Sequence, residues 1–168
     1  MNSKYDNIIA IDPDVEKSGV AFLEVKTRKL ELSALSFPLL MDYLQFAKKT
    51  ASESGKTFAV IVEAGYLNKP NFHLPYNSTP RMAAQIGCRV GRNQETAAKI
   101  IESCRHWGIE VLEAKPLPKC WAGKDRKITH DELAAFTGIM GRTNQDQRDA
   151  ALLAWIYADL PIRIPPKK

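Results

Sequence analysis

Four carboxylates in this 168-residue chain stand where elements of secondary structure are predicted to begin or end. Asp12 ends the apolar run "IIAID", Glu63 ends "AVIVE", and Asp146 and Asp149 open the segment "DQRDAALLA". A carboxylate at the end of a Val- and Ile-rich run is costly to bury without a cation. Mg²⁺ prefers oxygen ligands, and two such ions can activate a water and stabilise the leaving oxygen of a phosphodiester. Together the four acids indicate a site for hard cations.

Each acid also has a simpler structural explanation. Asp12 precedes a proline and suits a turn, and Glu63 suits the exposed end of a strand. Asp146 and Asp149 lie three residues apart, on one helical face near the first turn, where the helix dipole favours negative charge. The metal site therefore depends on the fold. If the first and fourth strands are parallel neighbours, Asp12 and Glu63 emerge side by side at one edge of the sheet.

The pattern of apolar residues and chain breakers predicts an α/β domain with a mixed five-stranded sheet flanked by helices. The first three strands follow one another through short turns, which predicts an antiparallel meander. The fourth and fifth strands alternate with helices, and two helices carry capping signals, Thr129 with Glu132 and Asn144 with Gln147. The predicted strands are 7–12, 19–26, 30–36, 57–63 and 109–114, and the predicted helices are 38–54, 81–107, 130–136 and 145–160.

Length and composition favour one domain, residues 1–160, followed by a basic tail, residues 161–168. The three cysteines form no CxxC pair, so neither a disulfide framework nor a zinc site is indicated. No apolar run is long enough to span a membrane and no signal peptide is evident, which predicts a cytoplasmic protein with no membrane partner. The formal net charge of +5 favours a polyanionic partner.

Three of these segments resemble the acidic motifs of RuvC-type Holliday junction resolvases: "IDP" after strand one, "VEAGY" after strand four and "DQRDAALLA" in the last helix. The resemblance runs in order from residue 8 to residue 155. It implies a ribonuclease H-like fold, a homodimer, and cleavage of four-way DNA junctions by paired nicks. It also implies that Asp12, Glu63, Asp146 and Asp149 are catalytic and bind two Mg²⁺ ions, with Mn²⁺ as a substitute.

The resemblance further implies contacts with DNA. Tyr66 stands three residues after Glu63, where the family has an aromatic residue that contacts the junction, and stacking on an unpaired base tolerates any sequence. Phe72 lies in a longer insert and is a second candidate for that role. Basic residues after the fifth strand are expected to hold phosphates. They are Lys115, Lys119, Lys124, Arg126 and Lys127.

One position departs from the family pattern, and other functions remain open. Asp14 stands where the family usually has glycine, which would permit a left-handed backbone.

Alternative functions are another ribonuclease H-like nuclease, acting on RNA–DNA hybrid or branched DNA, and a non-catalytic nucleic-acid-binding domain of the same fold. Actin-like ATPases also place an aspartate after a first strand, but they need a second domain and a glycine-rich phosphate loop.

Overall fold

The computed structural model describes residues 4–68, 75 and 77–163. Five strands form one sheet in the order β3-β2-β1-β4-β5. The strand β2 is antiparallel to both β1 and β3, whereas β1, β4 and β5 run parallel. The strands are β1 (Asn7–Asp12), β2 (Ser18–Glu24), β3 (Lys29–Leu35), β4 (Phe58–Glu63) and β5 (Val111–Ala114). This arrangement confirms the predicted antiparallel meander. It also meets the condition that the first and fourth strands are parallel neighbours, on which the meeting of Asp12 and Glu63 depends.

Among the described residues, four α-helices flank the sheet. They are α1 (Phe37–Ser54), α2 (Pro80–His106), α3 (His130–Thr137) and α4 (Gln145–Tyr157). Helix α1 ends at Gly55, which takes a left-handed conformation with φ 65°. Both predicted capping boxes are present, at Thr129 with Glu132 and at Asn144 with Gln147. Within the described residues no helix is both long and apolar enough to cross a bilayer.

Alternate residues of the strands separate two hydrophobic clusters, one on each face of the sheet. One cluster packs α3 and α4 against residues such as Ile8, Ala10 and Ile61. The other packs α1 and α2 against residues such as Ile9 and Val60. The side chains of Asp12 and Glu63 follow Ala10 and Ile61 by two residues, so both belong to the face that α4 covers.

Several predicted boundaries were wrong by one to three residues; the second strand, for example, ends at Glu24 rather than at residue 26. Two of these differences have a clear structural cause. The fifth strand begins at Val111 rather than at residue 109, because β5 pairs only with β4 and its register starts at Val60 opposite Val111. Helix α4 ends at Tyr157 rather than near residue 160, because Asp159 takes a positive φ of 54° that stops the helix. Neither difference affects the ends of β1 and β4 or the start of α4.

Candidate active site

The four predicted acids converge at one end of the sheet. Ile11 pairs with Val62 in the parallel register of β1 and β4, so the next residues along, Asp12 and Glu63, lie side by side. Both side chains face α4, whose first two turns carry Asp146 and Asp149. The fold therefore brings together acids from three segments that are far apart in the sequence.

Electrostatic coupling among these acids shows in their pKa values. Burial raises the pKa of Asp12 well above its usual range, and the negative charge of Glu63 is the next largest cause. Asp149 and Asp146 add to that shift, whereas Lys127 opposes it. Burial likewise raises the pKa of Glu63, with Asp149 adding to it. Burial and mutual repulsion therefore disfavour the ionised forms of Asp12 and Glu63.

One lysine is bonded directly to the cluster. The Lys127 Nζ lies 2.6 Å from Oδ2 of Asp149, and Gln145 Nε2 donates to Oδ1 of the same carboxylate at 2.7 Å. The Lys127 side chain is 34% exposed and that of Asp149 only 16%. Burial lowers the pKa of Lys127, but its bond to Asp149 and the other acids outweigh burial, and the net shift is upward. The predicted phosphate ligand is thus also a counter-ion of the acids.

Helix α4 is held in place by polar contacts with the segment before α3 and the loop after it. Arg148 donates from Nε to the carbonyl of Ile128 at 3.1 Å and from Nη1 to the carbonyl of Thr143 at 2.7 Å. Gln145 accepts a further bond from Arg148 Nη2 at 2.8 Å. Because these contacts lie on the first turns of α4, they fix the helix at the level of Asp146 and Asp149.

A glycine that the sequence analysis did not single out allows α4 to approach the sheet. Gly19 of β2 pairs with Asp12 across the β1–β2 ladder. A Cβ atom at Gly19 would lie 2.1 Å from the carbonyl oxygen of Asp146 and 2.7 Å from the amide nitrogen of Gln147. Only glycine fits this position, and its absence of a side chain sets the distance between Asp146 and the sheet.

Asp14 occupies an ordinary turn. It does not take a positive φ. Its Oδ1 accepts a hydrogen bond from the backbone N–H of Glu16 at 2.9 Å, and its own N–H donates to Ser18 Oγ at 3.2 Å. These bonds are typical of an aspartate turn, which needs no glycine. The charge of Asp14 nevertheless reaches the site, since after burial it is the largest cause of the raised pKa of Asp146.

Two cavities flank the acids and meet at Glu63. The first, of about 200 Å³, lies beside Asp149. The second, of about 210 Å³, lies beside Asp12 and reaches the side of α2 that carries Asn93 and Gln94. The first cavity has an apolar wall that includes Trp121 and a basic rim. The basic residues that line it are Lys119, Arg126 and Lys127.

The other predicted DNA contacts that the structure describes lie outside the cavity beside Asp149. Lys115 and Lys124 are exposed on the connection between β5 and α3 and do not line the cavity beside Asp149. Tyr66 packs against the cluster on the opposite face of the sheet, and its hydroxyl donates to Glu113 Oε2 at 2.6 Å. Burial and this bond raise the pKa of Tyr66 to about 12. Phe72 lies outside the described residues.

The donor chemistry of the site fits a hard divalent cation. Among the described residues no group of three or more Asp, Glu, His or Cys side chains is arranged to hold a metal ion as the side chains stand. The oxygen ligands, their burial and their mutual repulsion are nevertheless what Mg²⁺ would relieve. Each oxygen of Asp149 accepts one hydrogen bond, from Lys127 or from Gln145, and the ammonium of Lys127 would compete with a metal for this carboxylate.

The sheet order, the antiparallel first three strands and the helices on both faces define a ribonuclease H-like fold, as the sequence predicted. No family model matches the chain, and no curated protein matches it significantly. RuvC of T. thermophilus, in complex with a Holliday junction substrate, is similar at 12% identity and a TM-score of 0.46, over 88% of this chain and 90% of RuvC. Fowlpox virus resolvase, in complex with substrate Holliday junction DNA, is similar at 13% identity and a TM-score of 0.41, over 91% of this chain and 97% of the resolvase.

Proposed function

We propose that this protein is a metal-dependent, structure-selective endonuclease that resolves four-way DNA junctions by paired phosphodiester hydrolysis. The observation that carries the proposal is the convergence of Asp12 and Glu63, on neighbouring parallel strands, with Asp146 and Asp149 on the helix above them. The raised pKa values of Asp12 and Glu63 support it, because a domain without a cation has no physical need to gather buried acids.

The proposed cofactors are two Mg²⁺ ions, with Mn²⁺ as a substitute. Asp12, Glu63, Asp146 and Asp149 would hold them, and the bound ions would activate a water and stabilise the leaving oxygen of the scissile phosphodiester. Other residues hold the four acids in position. Gly19 sets the height of α4 above the sheet, and Arg148 fixes its first turns.

The two cavities that meet at Glu63 suggest the path of the cleaved strand. A strand crossing the acids would reach the amides of Asn93 and Gln94 on one side and the basic rim of Lys119 and Arg126 on the other. Basic side chains hold phosphates without reading sequence, which suits an enzyme that selects shape. Lys115 and Lys124 would extend the same basic surface. Tyr66 and Phe72 remain candidates for contact with bases at the junction.

A homodimer would place two such sites on one junction, and helix α2 offers a surface for it. Its 27 residues span about 40 Å, yet its four buried residues all lie from Ala97 onward. Gly87 and Gly91 stand one turn apart on the exposed half, with open space where a Cβ would be. A second copy packing its own α2 there would bury this surface. Sedimentation should show a dimer. Gly87→Leu should dissociate this dimer, whereas the control Gly141→Leu, in a loop, should leave it intact.

A nuclease assay tests the function. The protein is incubated with Mg²⁺ and labelled four-way junction, flap, linear duplex or RNA–DNA hybrid, beside the Asp12→Asn and Glu63→Gln variants. Asp42→Asn is the matched control, because Asp42 is exposed on α1, on the opposite face of the sheet. We expect symmetric nicks in the junction, lost in both site variants and kept in the control.

Other outcomes identify the alternatives. Preferential cleavage of the hybrid or the flap would favour another ribonuclease H-like nuclease. Binding of branched DNA with no cleavage in Mg²⁺ or Mn²⁺ would favour a non-catalytic nucleic-acid-binding domain. Cleavage that survives both site variants would refute the assignment of the four acids.

A further inference from the structure

Lys127 stands between the acids and the basic cavity. Its Nζ is bonded to Asp149 at 2.6 Å, and the same side chain lines the cavity together with Lys119 and Arg126. A phosphate in that cavity would therefore lie within the range of an ammonium group that Asp149 now holds. The same ammonium opposes any cation approaching Asp149, because the two positive charges repel each other at short range.

The backbone of Lys127 is held by hydrogen bonds, whereas its side chain has rotatable bonds. Gly123 donates its N–H to the Lys127 carbonyl at 3.0 Å, and the Lys127 N–H donates to the carbonyl of Lys124 at 3.1 Å. Gly123 is closely packed here, since a Cβ atom would lie 2.5 Å from the Lys127 carbonyl oxygen. The four-carbon stem of lysine carries three rotatable donors, so the ammonium can change partner without movement of the chain.

We propose that Lys127 exchanges Asp149 for a DNA phosphate in the adjoining cavity, and that this exchange makes metal binding and DNA binding strengthen each other. The inference rests on the proposed function, in that the ligand is a phosphodiester and the metal is divalent. Without DNA, Lys127 neutralises Asp149 and competes with the metal. With DNA, the phosphate takes the ammonium and leaves Asp149 to the metal. By linkage, the metal must then raise the affinity for DNA by the same factor.

The first test measures metal affinity without DNA. Mn²⁺ binding is followed by electron paramagnetic resonance for the wild type, Lys127→Met and Lys127→Arg, and for Lys124→Met, which removes an exposed charge outside the cavity. Lys127→Met should bind Mn²⁺ about tenfold more tightly, because a charge-assisted bond no longer competes for Asp149. Lys127→Arg should bind it no more tightly than the wild type, since arginine keeps the charge and can grip a carboxylate with two donors. Lys124→Met should match the wild type.

The second test measures junction affinity by fluorescence anisotropy, in EDTA and in Ca²⁺, which takes oxygen ligands as Mg²⁺ does. In EDTA, Lys127→Met should bind the junction nearly as well as the wild type, because Lys127 is then occupied by Asp149. In Ca²⁺ the wild type should gain affinity and Lys127→Met should gain about tenfold less. Lys124→Met should lose the same modest factor in both conditions, as expected for a simple phosphate contact.

Two results would overturn the inference. One is an Mn²⁺ affinity of Lys127→Met equal to or weaker than that of the wild type, in protein whose melting curve shows that it is folded. The other is an equal loss of junction affinity in EDTA and in Ca²⁺. If Lys127→Met does not fold, Mn²⁺ binding by Lys127→Arg tighter than that of the wild type overturns it instead. The Mn²⁺ titration needs no nuclease activity, so failure of the proposed function and failure of this coupling are separate outcomes.

Discussion

Substitution of Gly19 by alanine tests whether the approach of α4 to the sheet builds the site. The new Cβ would lie 2.1 Å from the carbonyl oxygen of Asp146, whereas ordinary contact begins at 3.4 Å. The two backbones must therefore separate by about 1.3 Å. Neither side yields easily, because Gly19 is in the ladder with Asp12 and the first turns of α4 are bonded through Arg148.

The expected effects are a moderate loss of stability and a large loss of activity. Overpacking of this kind costs about 1–3 kcal/mol, which for a chain of this size lowers the melting temperature by roughly 2–12 °C. Displacement of Asp146 from Asp12 by more than an ångström should lower the rate of junction nicking about 100-fold, since misplacement on that scale has such consequences in active sites. Nicking is measured in single turnover at 25 °C, and the melting curve of the variant gives its folded fraction at that temperature.

Gly141→Ala is the matched control, because Gly141 lies in a loop with open space around it and no positive φ. It should leave both the melting temperature and the nicking rate close to the wild-type values. A Gly19→Ala protein that nicks at the wild-type rate would refute the view that this contact positions the acids. So would a loss of rate explained entirely by the unfolded fraction at the assay temperature.

Three further predictions concern charge and capping. Asp12→Asn should abolish nicking yet raise the melting temperature in EDTA by at least about 2 °C, because burial and the neighbouring acids penalise the Asp12 charge; a lower melting temperature would contradict this. The hydrogen bond from Tyr66, together with Arg105, lowers the pKa of Glu113. The ionised Glu113 therefore stabilises the folded state fully above pH 4.5, the ordinary pKa of glutamate, and this stabilisation is lost as the pH falls through the lowered pKa. Glu113→Gln should therefore cost about 1 kcal/mol at pH 7 and progressively less toward pH 3 in urea titrations, and a cost independent of pH would count against the bond. Thr129→Ala should cost about 1 kcal/mol by thermal melting through loss of the capping box, whereas Thr129→Ser should retain it.

Much of the fold was predictable because its signals are local. The ends of β1 and β4 follow from apolar runs that stop at Asp12 and Glu63, and the starts of α3 and α4 follow from their capping boxes. The pairing of β1 with β4 did not follow from local signals, because two strands and a helix lie between them in the sequence. Given that pairing, the sequence predicted that the four acids would meet, since the three segments that carry them end or begin at one edge of the sheet.

The contacts that tune the site were not predictable, because they join residues distant in the sequence. Nothing near Gly19 indicates that α4, more than a hundred residues later, passes within contact of it. Lys127 was one of several basic residues that the sequence predicted equally to bind phosphate. Only the folded loop at Gly123 brings it to Asp149. Asp159 ended α4 early through a positive φ, at a residue type that tolerates this conformation but does not demand it.

The balance of charge at the acids links stability to ligand binding. Asp12 and Glu63 are half-buried beside other carboxylates, and the ammonium of Lys127 is bonded to Asp149. Any cation that binds the acids relieves the repulsion that raises their pKa values, so it stabilises the folded state by its binding free energy. If the metal also displaces Lys127 from Asp149, part of its binding free energy would raise the affinity of the protein for DNA. Under the proposed exchange, Lys127 would offset the charge of Asp149 before a metal binds and would bind a DNA phosphate afterwards, beside Lys119 and Arg126 in the same cavity.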